Sequence, residues 1–161
     1  MNAKYNKELV DIIEQKKKEW TDNLKAIPPL LRSQAENMVD ANAISLSYRV
    51  MLMEDMSYFL GLMAEHDKEL KELKKNKFIF YATGMLPDGT RPTGSGAFHP
   101  LLGKKLTKTE YDTVISGDLN EPEFTIQVIG DMVDFLKDEI KTIDQILYSI
   151  KNRLDLFNYL K

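Results

Sequence analysis

The chain has 161 residues, a formal net charge of −3 and no cysteine. This length suits one domain with a modest core, and the lack of cysteine excludes disulfide bonds and thiolate chemistry. No apolar run reaches the roughly 18 residues that a membrane span needs, and the N-terminal stretch is too charged for a signal peptide. We therefore expect a soluble, cytoplasmic protein without a membrane segment.

Positive charge is concentrated in the middle of the chain. Nine basic and three acidic residues lie between Lys68 and Lys108, a net of +6, whereas the rest of the chain carries −9. An acidic protein with a basic middle indicates one localised surface that binds an anion.

The chain opens with a predicted amphipathic helix over residues 1–27. Its apolar side chains recur at helical spacing on one face, with charged residues elsewhere. These apolar residues are Leu9, Ile13, Trp20 and Leu24. The proline pair that follows, Pro28 and Pro29, marks the end of the helix.

A second, long helix is predicted over residues 33–82. Ser33 and Glu36 have the spacing of a capping box, in which each side chain satisfies a backbone N–H at the start of a helix. The last part of the helix is rich in lysine and runs directly into aromatic residues. Lysines beside aromatics are the two parts of a site for single-stranded nucleic acid, because lysine neutralises phosphates and bases stack on rings. The alternative is a solvated helix end whose aromatic residues belong to the core.

The candidate DNA-binding residues lie at this junction and in the loop that follows. They are Lys71, Lys74, Lys75, Lys77, Phe80, Tyr81, Arg91, Lys104 and Lys105. Residues 84–106 are rich in Gly and Pro, which predicts a flexible loop with a turn at Pro87-Asp88-Gly89. The glycines do not match a phosphate-binding loop.

A short element is predicted over residues 107–118. Thr107 and Glu110 have the spacing of another capping box, and the β-branched residues after them leave helix and strand both open. The Ser-Gly-Asp sequence at 116–118 is predicted to end this element.

The final helix is predicted over residues 120–160, with Asn120 as its cap and Pro122 in its first turn. Its apolar residues repeat at alternating spacings of three and four. They are Ile126, Ile129, Val133, Leu136, Ile140, Ile143, Leu147, Ile150, Leu154 and Phe157. Isoleucine at both a and d positions favours more than two strands, so the stripe predicts a self-assembly helix. The alternative is that the stripe packs on the chain's own second helix.

The elements together predict a single all-α domain of long helices, with a C-terminal heptad helix for oligomerisation and a Gly/Pro-rich internal loop. His66 and His99 lie in no metal-binding spacing, and no carboxylates are paired with a nucleophile. We therefore expect no metal, cofactor or enzymatic activity, and we expect His66 to be exposed.

Two motifs resemble the UvsY-type recombination mediators of tailed phages. Lys75-x-Lys77-Phe78-x-Phe80-Tyr81 is similar to that family's basic-x-basic followed by an aromatic pair. Lys108-Thr109-Glu110-x-x-Thr113-Val114-Ile115-Ser116-x-Asp118 is similar to its Lys-Ser-Glu-x-x-Thr-Val-Leu-Ser element. The order of the parts is also similar, over about residue 34 to the C-terminus. The glycine-rich loop is longer than the family's, and Lys77 stands where the family has arginine.

The resemblance implies a non-enzymatic homo-oligomer, a hexameric or heptameric ring assembled through the C-terminal helix. Such a protein binds single-stranded DNA and helps load a RecA-like recombinase onto DNA held by a single-strand-binding protein. Lys75 and Lys77 would then contact DNA, and the host-cell cytoplasm would be its location if a phage encodes it. The alternative from another class is a helical scaffold protein that acts through protein contacts without DNA.

Overall fold

The structure, a computed structural model, describes residues 3–30, 35–83, 86, 88–90 and 107–159. Nearly all of these residues are helical, and no strand occurs among them. The helices are α1 (Ala3–Lys25), α2 (Ile27–Leu30), α3 (Ala35–Thr83) and α4 (Lys108–Tyr159). The predicted all-α fold is confirmed.

The first two predicted helices are present with nearly the expected bounds. α1 ends at Lys25, and Pro28 lies in the one-turn helix α2. α3 is uninterrupted over 49 residues. The capping box predicted at Ser33 and Glu36 falls outside the described residues and side chains, so it stays a prediction.

The predicted break between a short element and a final helix is wrong. α4 is one helix of 52 residues with Pro122 inside it, and the 111–116 stretch is helical. A proline inside a helix costs about 3 kcal/mol and a glycine about 1 kcal/mol. Buried residues nevertheless flank Gly117 and Pro122 within unit 2, with Ile115 before the glycine, Leu119 between the two and Thr125 after the proline. Packing of these residues outweighs the local preference for a break.

The capping box predicted at the start of α4 is confirmed. The Thr107 backbone N–H donates to Glu110 Oε2 at 2.7 Å, and the Thr107 hydroxyl lies 2.8 Å from the same oxygen. The Glu110 backbone N–H returns a bond to Thr107 Oγ1 at 3.4 Å. The backbone bond, followed by the hydroxyl bond, lowers the pKa of Glu110 below its ordinary value.

The contacts of the chain fall into two compact units. Unit 1 comprises Met1–Leu62 with Val128–Lys161, and unit 2 comprises Met63–Gln127. Both α3 and α4 contribute residues to each unit.

In unit 1, polar and aromatic contacts join α1 to α3. Asp55 accepts hydrogen bonds from Lys16 Nζ at 2.8 Å and from Trp20 Nε1 at 2.9 Å. The Trp20 ring packs edge-to-face on Tyr48, with centroids 5.8 Å apart. α4 is tied to α1 by Lys17 Nζ, 5.8 Å from the centre of the Phe135 ring.

The buried residues of unit 1 come from all three long helices. From α1 and α2 they are Ile13, Trp20, Leu24 and Ile27. From α3 they are Met38, Ala41, Ser45, Leu52 and Phe59, which share one helical face. From α4 they are Ile129, Met132, Val133, Leu136, Ile143 and Ile150.

The core of unit 2 joins the second part of α3 to the first part of α4. Tyr81, Ile115 and Leu119 are buried in one cluster. The partly buried residues packed against it are Leu70, Leu73, Phe80, Tyr111 and Val114.

The turn predicted near Asp88 is present in the described part of the loop. The Gly89 N–H donates to the Leu86 carbonyl at 2.9 Å, and Asp88 Oδ1 accepts from the Thr90 N–H at 2.9 Å. Gly89 has a φ of 79°, which favours glycine.

Candidate nucleic-acid interface

Three of the predicted DNA-binding lysines lie exposed on one face of α3. We call Lys71, Lys74 and Lys75 the lysine ridge. Lys71 pairs with Asp67 one turn earlier on the helix. Lys74 and Lys75 form no salt bridge with any residue that the structure describes. The ridge therefore presents positive charge to solvent.

Lys77 is placed differently from the lysine ridge. Its Nζ lies 2.9 Å from Asp118 Oδ2, and the Lys77 and Asp118 side chains are 36% and 34% exposed. The Tyr81 hydroxyl donates to the same carboxylate oxygen at 2.8 Å. Lys77 therefore neutralises a carboxylate of its own chain and joins α3 to α4 within unit 2.

The structure corrects the predicted role of Tyr81. Its side chain is 5% exposed and belongs to the core of unit 2, so the ring is not available for stacking on a base. Phe80 is partly buried against the same core. The exposed aromatic beside the lysine ridge is instead Phe78, at 47% exposure.

Phe78 is supported by a second ring. Its centroid lies 5.6 Å from that of Tyr111, with the ring planes at 54°. Tyr111 lies in the first turn of α4, which the capping box at Thr107 opens. One helix therefore supplies both the lysines and the exposed ring, and the other helix holds the ring in place.

The environment of Tyr81 keeps its phenol protonated. Burial, and then the hydrogen bond to Asp118, raises the pKa of Tyr81 to about 12. Both causes are contacts within the core of unit 2, and they indicate a structural role for Tyr81.

The helical spacing explains why the predicted contacts divide into two groups. The outer face of α3 carries positions 67, 71, 74 and 78, which are four, three and four residues apart. The face of α3 that packs against α4 carries positions 66, 70, 73 and 77, which have the same spacing. Counting from Leu70 and Leu73 would have placed Lys77 and Tyr81 inward and Phe78 outward. Asp118, the partner of both inward residues, was not among the predicted site residues.

The remaining three predicted DNA-binding residues belong to the predicted loop. Arg91, Lys104 and Lys105 lie outside the described residues. The part of α4 in unit 2 carries several acidic residues. They are Glu110, Asp112, Asp118, Glu121 and Glu123.

His66 is buried, contrary to the expectation that it is exposed. Its Nδ1 lies 3.4 Å from Glu69 Oε2, and its side chain is 8% exposed. It lies on the inner face of α3, in step with Leu70 and Leu73. The described residues contain no cluster of three or more acidic or histidine side chains that could hold a metal ion.

Half of the predicted assembly stripe of α4 is covered within the chain. The buried members are Ile129, Val133, Leu136, Ile143 and Ile150. Those left half-buried or exposed are Ile126, Ile140, Leu147, Leu154 and Phe157. The burial favours the alternative that this stripe packs on the chain's own helices, and assembly through α4 stays a prediction for the other members.

The described residues define the class of protein as all-α, built on the three long helices α1, α3 and α4. Comparison of the chain with models of protein families, with curated proteins and with solved structures finds no match. None of the helices that the structure describes has a stretch both long and apolar enough to cross a membrane.

Proposed function

We propose that the protein is a non-enzymatic accessory protein that binds single-stranded DNA through the lysine ridge and Phe78. The observation that carries the proposal is the placement of three exposed lysines and an exposed ring on one face of α3. Lysine supplies the attraction to phosphate, and a ring supplies a stacking surface that accepts any base. The expected binding is tolerant of sequence and sensitive to salt.

The dimensions of the ridge suit a short run of nucleotides. Lys71 and Lys75 are separated by about 6 Å along the helix, at 1.5 Å per residue. One strand of duplex DNA carries a phosphate about every 3.4 Å of helix axis, and at that charge spacing the ridge covers two to three phosphates. One copy of the chain therefore offers a weak site, and several copies on one strand would raise the apparent affinity through effective concentration.

We propose further that the protein acts as a recombination mediator. In this role it promotes loading of a RecA-like recombinase in place of a single-strand-binding protein. The support is the resemblance of the Lys75–Tyr81 and Lys108–Asp118 motifs to those of the UvsY-type mediators. In this chain the two motifs meet in one core, because Tyr81 and Ile115 share a cluster and Tyr81 bonds Asp118.

The experiment is a titration of a labelled single-stranded oligonucleotide with the full chain, followed by fluorescence anisotropy at several salt concentrations. The logarithm of the affinity is expected to fall with the logarithm of salt, at about 0.7 per phosphate contact. Three ridge lysines predict a slope of about 2 per copy. No binding at low salt would overturn the proposal.

A second candidate is a helical scaffold protein that acts through protein contacts alone. The observation that favours it is a run of exposed apolar residues on α3 in unit 1, among them Val39, Leu46 and Val50. A scaffold does not require the lysine ridge to meet a polyanion. Salt-dependent binding of DNA therefore separates the two candidates.

A further inference from the structure

α3 carries a second heptad stripe, which is exposed and lies opposite its buried one. The exposed stripe consists of Val39, Ala43, Leu46, Val50, Met53, Ser57 and Leu60. The five large apolar side chains in it are between 39% and 60% exposed. The buried stripe, which includes Met38, Ser45 and Phe59, faces the core of unit 1 from the other side of the helix. A contiguous apolar stripe of this kind marks an interaction surface.

We infer that a second copy of this chain packs on the exposed stripe of α3, forming a parallel two-stranded coiled coil. The stripe alternates spacings of four and three without a break. From Val39 to Leu60 it runs about 30 Å, at 1.5 Å per residue. This is the length of three heptads, the minimum at which such a pattern indicates a coiled coil.

The residue types favour two strands. If Val39 is taken as a d position, then Val50 stands at a, while Leu46 and Leu60 stand at d. A β-branched residue at a with leucine at d favours a parallel dimer. The other a positions, Ala43 and Ser57, are small and allow the two helices to approach closely.

The flanking charges identify the occupant as a second copy in parallel orientation. Arg49 lies on one flank of the stripe, and Asp40 and Glu54 lie on the other. In a parallel pair, a residue on the first flank faces the residue five positions later on the second flank of the other helix. Arg49 therefore faces Glu54 of the second copy, and symmetry repeats the pair. An antiparallel pair would bring the acidic flank against itself.

Arg49 can make this contact while keeping its present ones. Its Nε donates to Asp144 Oδ1 at 2.7 Å, and its Nη1 lies 3.2 Å from the Met53 sulfur. A guanidinium has five N–H donors, so donors remain for another carboxylate. The contacts to Asp144 and Met53 hold the guanidinium beside the stripe.

The inference rests on the proposed function in one respect, since both involve more than one copy of the chain. The pairing of the two copies itself needs no DNA. The first test is sedimentation equilibrium of the full chain without DNA, which is expected to give twice the 18.6 kDa mass of one chain. Leu46→Glu is expected to halve that mass with unchanged helical circular dichroism. Met51→Glu is the matched control, because Met51 is 44% exposed but lies off the stripe, and it is expected to keep the two-copy mass.

The charge pair gives a test of recognition within the same assay. Glu54→Lys is expected to weaken the pair, since lysine would face Arg49. The combined Arg49→Glu and Glu54→Lys exchange is expected to restore it when Asp144→Lys is added to keep an opposite charge beside position 49. A mass of one chain at all concentrations, or an assembly that Leu46→Glu leaves intact, would overturn the inference.

Orientation is tested with single cysteines, which the natural sequence lacks. In a parallel pair, Ala43→Cys and Ser57→Cys each face their own counterpart, so a mild oxidant is expected to cross-link each variant alone. In an antiparallel pair an a position faces a d position, so neither variant would face its own counterpart. Cross-linking only in a mixture of Ala43→Cys with Met53→Cys or with Leu60→Cys would contradict the parallel arrangement. If the chain forms a dimer but binds no DNA, the proposed function is overturned and this inference stands. If the chain binds DNA but is a monomer, this inference is overturned and the proposed function stands.

Discussion

The hydroxyl of Tyr81 donates a 2.8 Å hydrogen bond to the carboxylate of Asp118, 37 positions later in the chain. This bond joins α3 to α4 in unit 2, beside the ion pair of the same carboxylate with Lys77. Two residues expected to contact DNA thus hold the unit together. Among the described residues, the proposed DNA-binding surface is therefore limited to the lysine ridge and Phe78.

The stability of the protein is expected to fall at high pH because of Tyr81. Its pKa is about 12 in the folded chain, against an ordinary value of 10.0, so the folded state holds the proton more tightly. The stability contributed by the neutral phenol is fully present below pH 10 and is lost as the pH rises to about 12. Denaturant unfolding measured across this pH range should show that the free energy of unfolding falls by about 2 kcal/mol more in the wild type than in Tyr81→Phe.

The control for Tyr81 is Tyr148→Phe, since Tyr148 is 68% exposed. This variant is expected to keep the pH dependence of the wild type. An identical pH dependence in the wild type and Tyr81→Phe would show that the buried hydrogen bond does not control the titration.

Lys75 and Lys77 are expected to respond differently to truncation, although they share one motif. Lys77→Ala removes the 2.9 Å ion pair with Asp118 and should lower the free energy of unfolding by about 0.5–1 kcal/mol. Lys75→Ala should leave stability within about 0.5 kcal/mol and weaken DNA binding instead. Denaturant unfolding and anisotropy on both variants test the division. A larger loss of DNA affinity in Lys77→Ala than in Lys75→Ala would reverse it.

Asp55 is expected to be important for the stability of unit 1. Asp55→Ala would leave the Trp20 N–H, in a side chain 3% exposed, without its acceptor, and would also remove the partner of Lys16. The expected cost is about 1–3 kcal/mol. Asp55→Asn keeps an acceptor oxygen and should cost less. Thermal unfolding that ranks the two variants equally would argue against the role of the hydrogen bond.

Ile143 is expected to act as a core residue and not as an assembly residue. It is fully buried within one chain, so Ile143→Ala should lower the free energy of unfolding by about 2–5 kcal/mol. Leu156→Ala, at a site 59% exposed, should change it by less than about 0.5 kcal/mol. The loss for Ile143→Ala should be the same at low and high protein concentration. If Ile143→Ala lowers the free energy of unfolding only at concentrations where copies associate, Ile143 lies in an interface between copies.

Much of the fold follows from local patterns. The bounds of α3 and the capping box at Thr107 were predictable, because helical periodicity and capping spacing are properties of neighbouring residues. The continuity of α4 was not predictable in this way. Gly117 and Pro122 are local signals for a break, whereas the buried residues that override them, Ile115, Leu119 and Thr125, act through their packing.

The candidate site was predictable only in part for a related reason. The composition of the Lys71–Tyr81 stretch indicates lysine beside aromatic residues, but composition does not say which side of the helix each residue occupies. That depends on the position of α4, which covers Tyr81 and supplies Asp118 as a partner for Lys77. The same limit applies to α3 in unit 1, where two apolar stripes lie on one helix and only packing determines which is buried.

The most direct test of the central claim compares two charge-matched triple variants in the anisotropy assay. One replaces Lys71, Lys74 and Lys75 by Gln, and the other replaces Lys137, Lys141 and Lys151, which are also exposed. The lysine-ridge variant is expected to lose most of its affinity for single-stranded DNA and to lower the salt slope by about 2, whereas the α4 variant keeps both. Equal losses in the two variants would mean that net charge alone attracts the strand, and would contradict a site on α3.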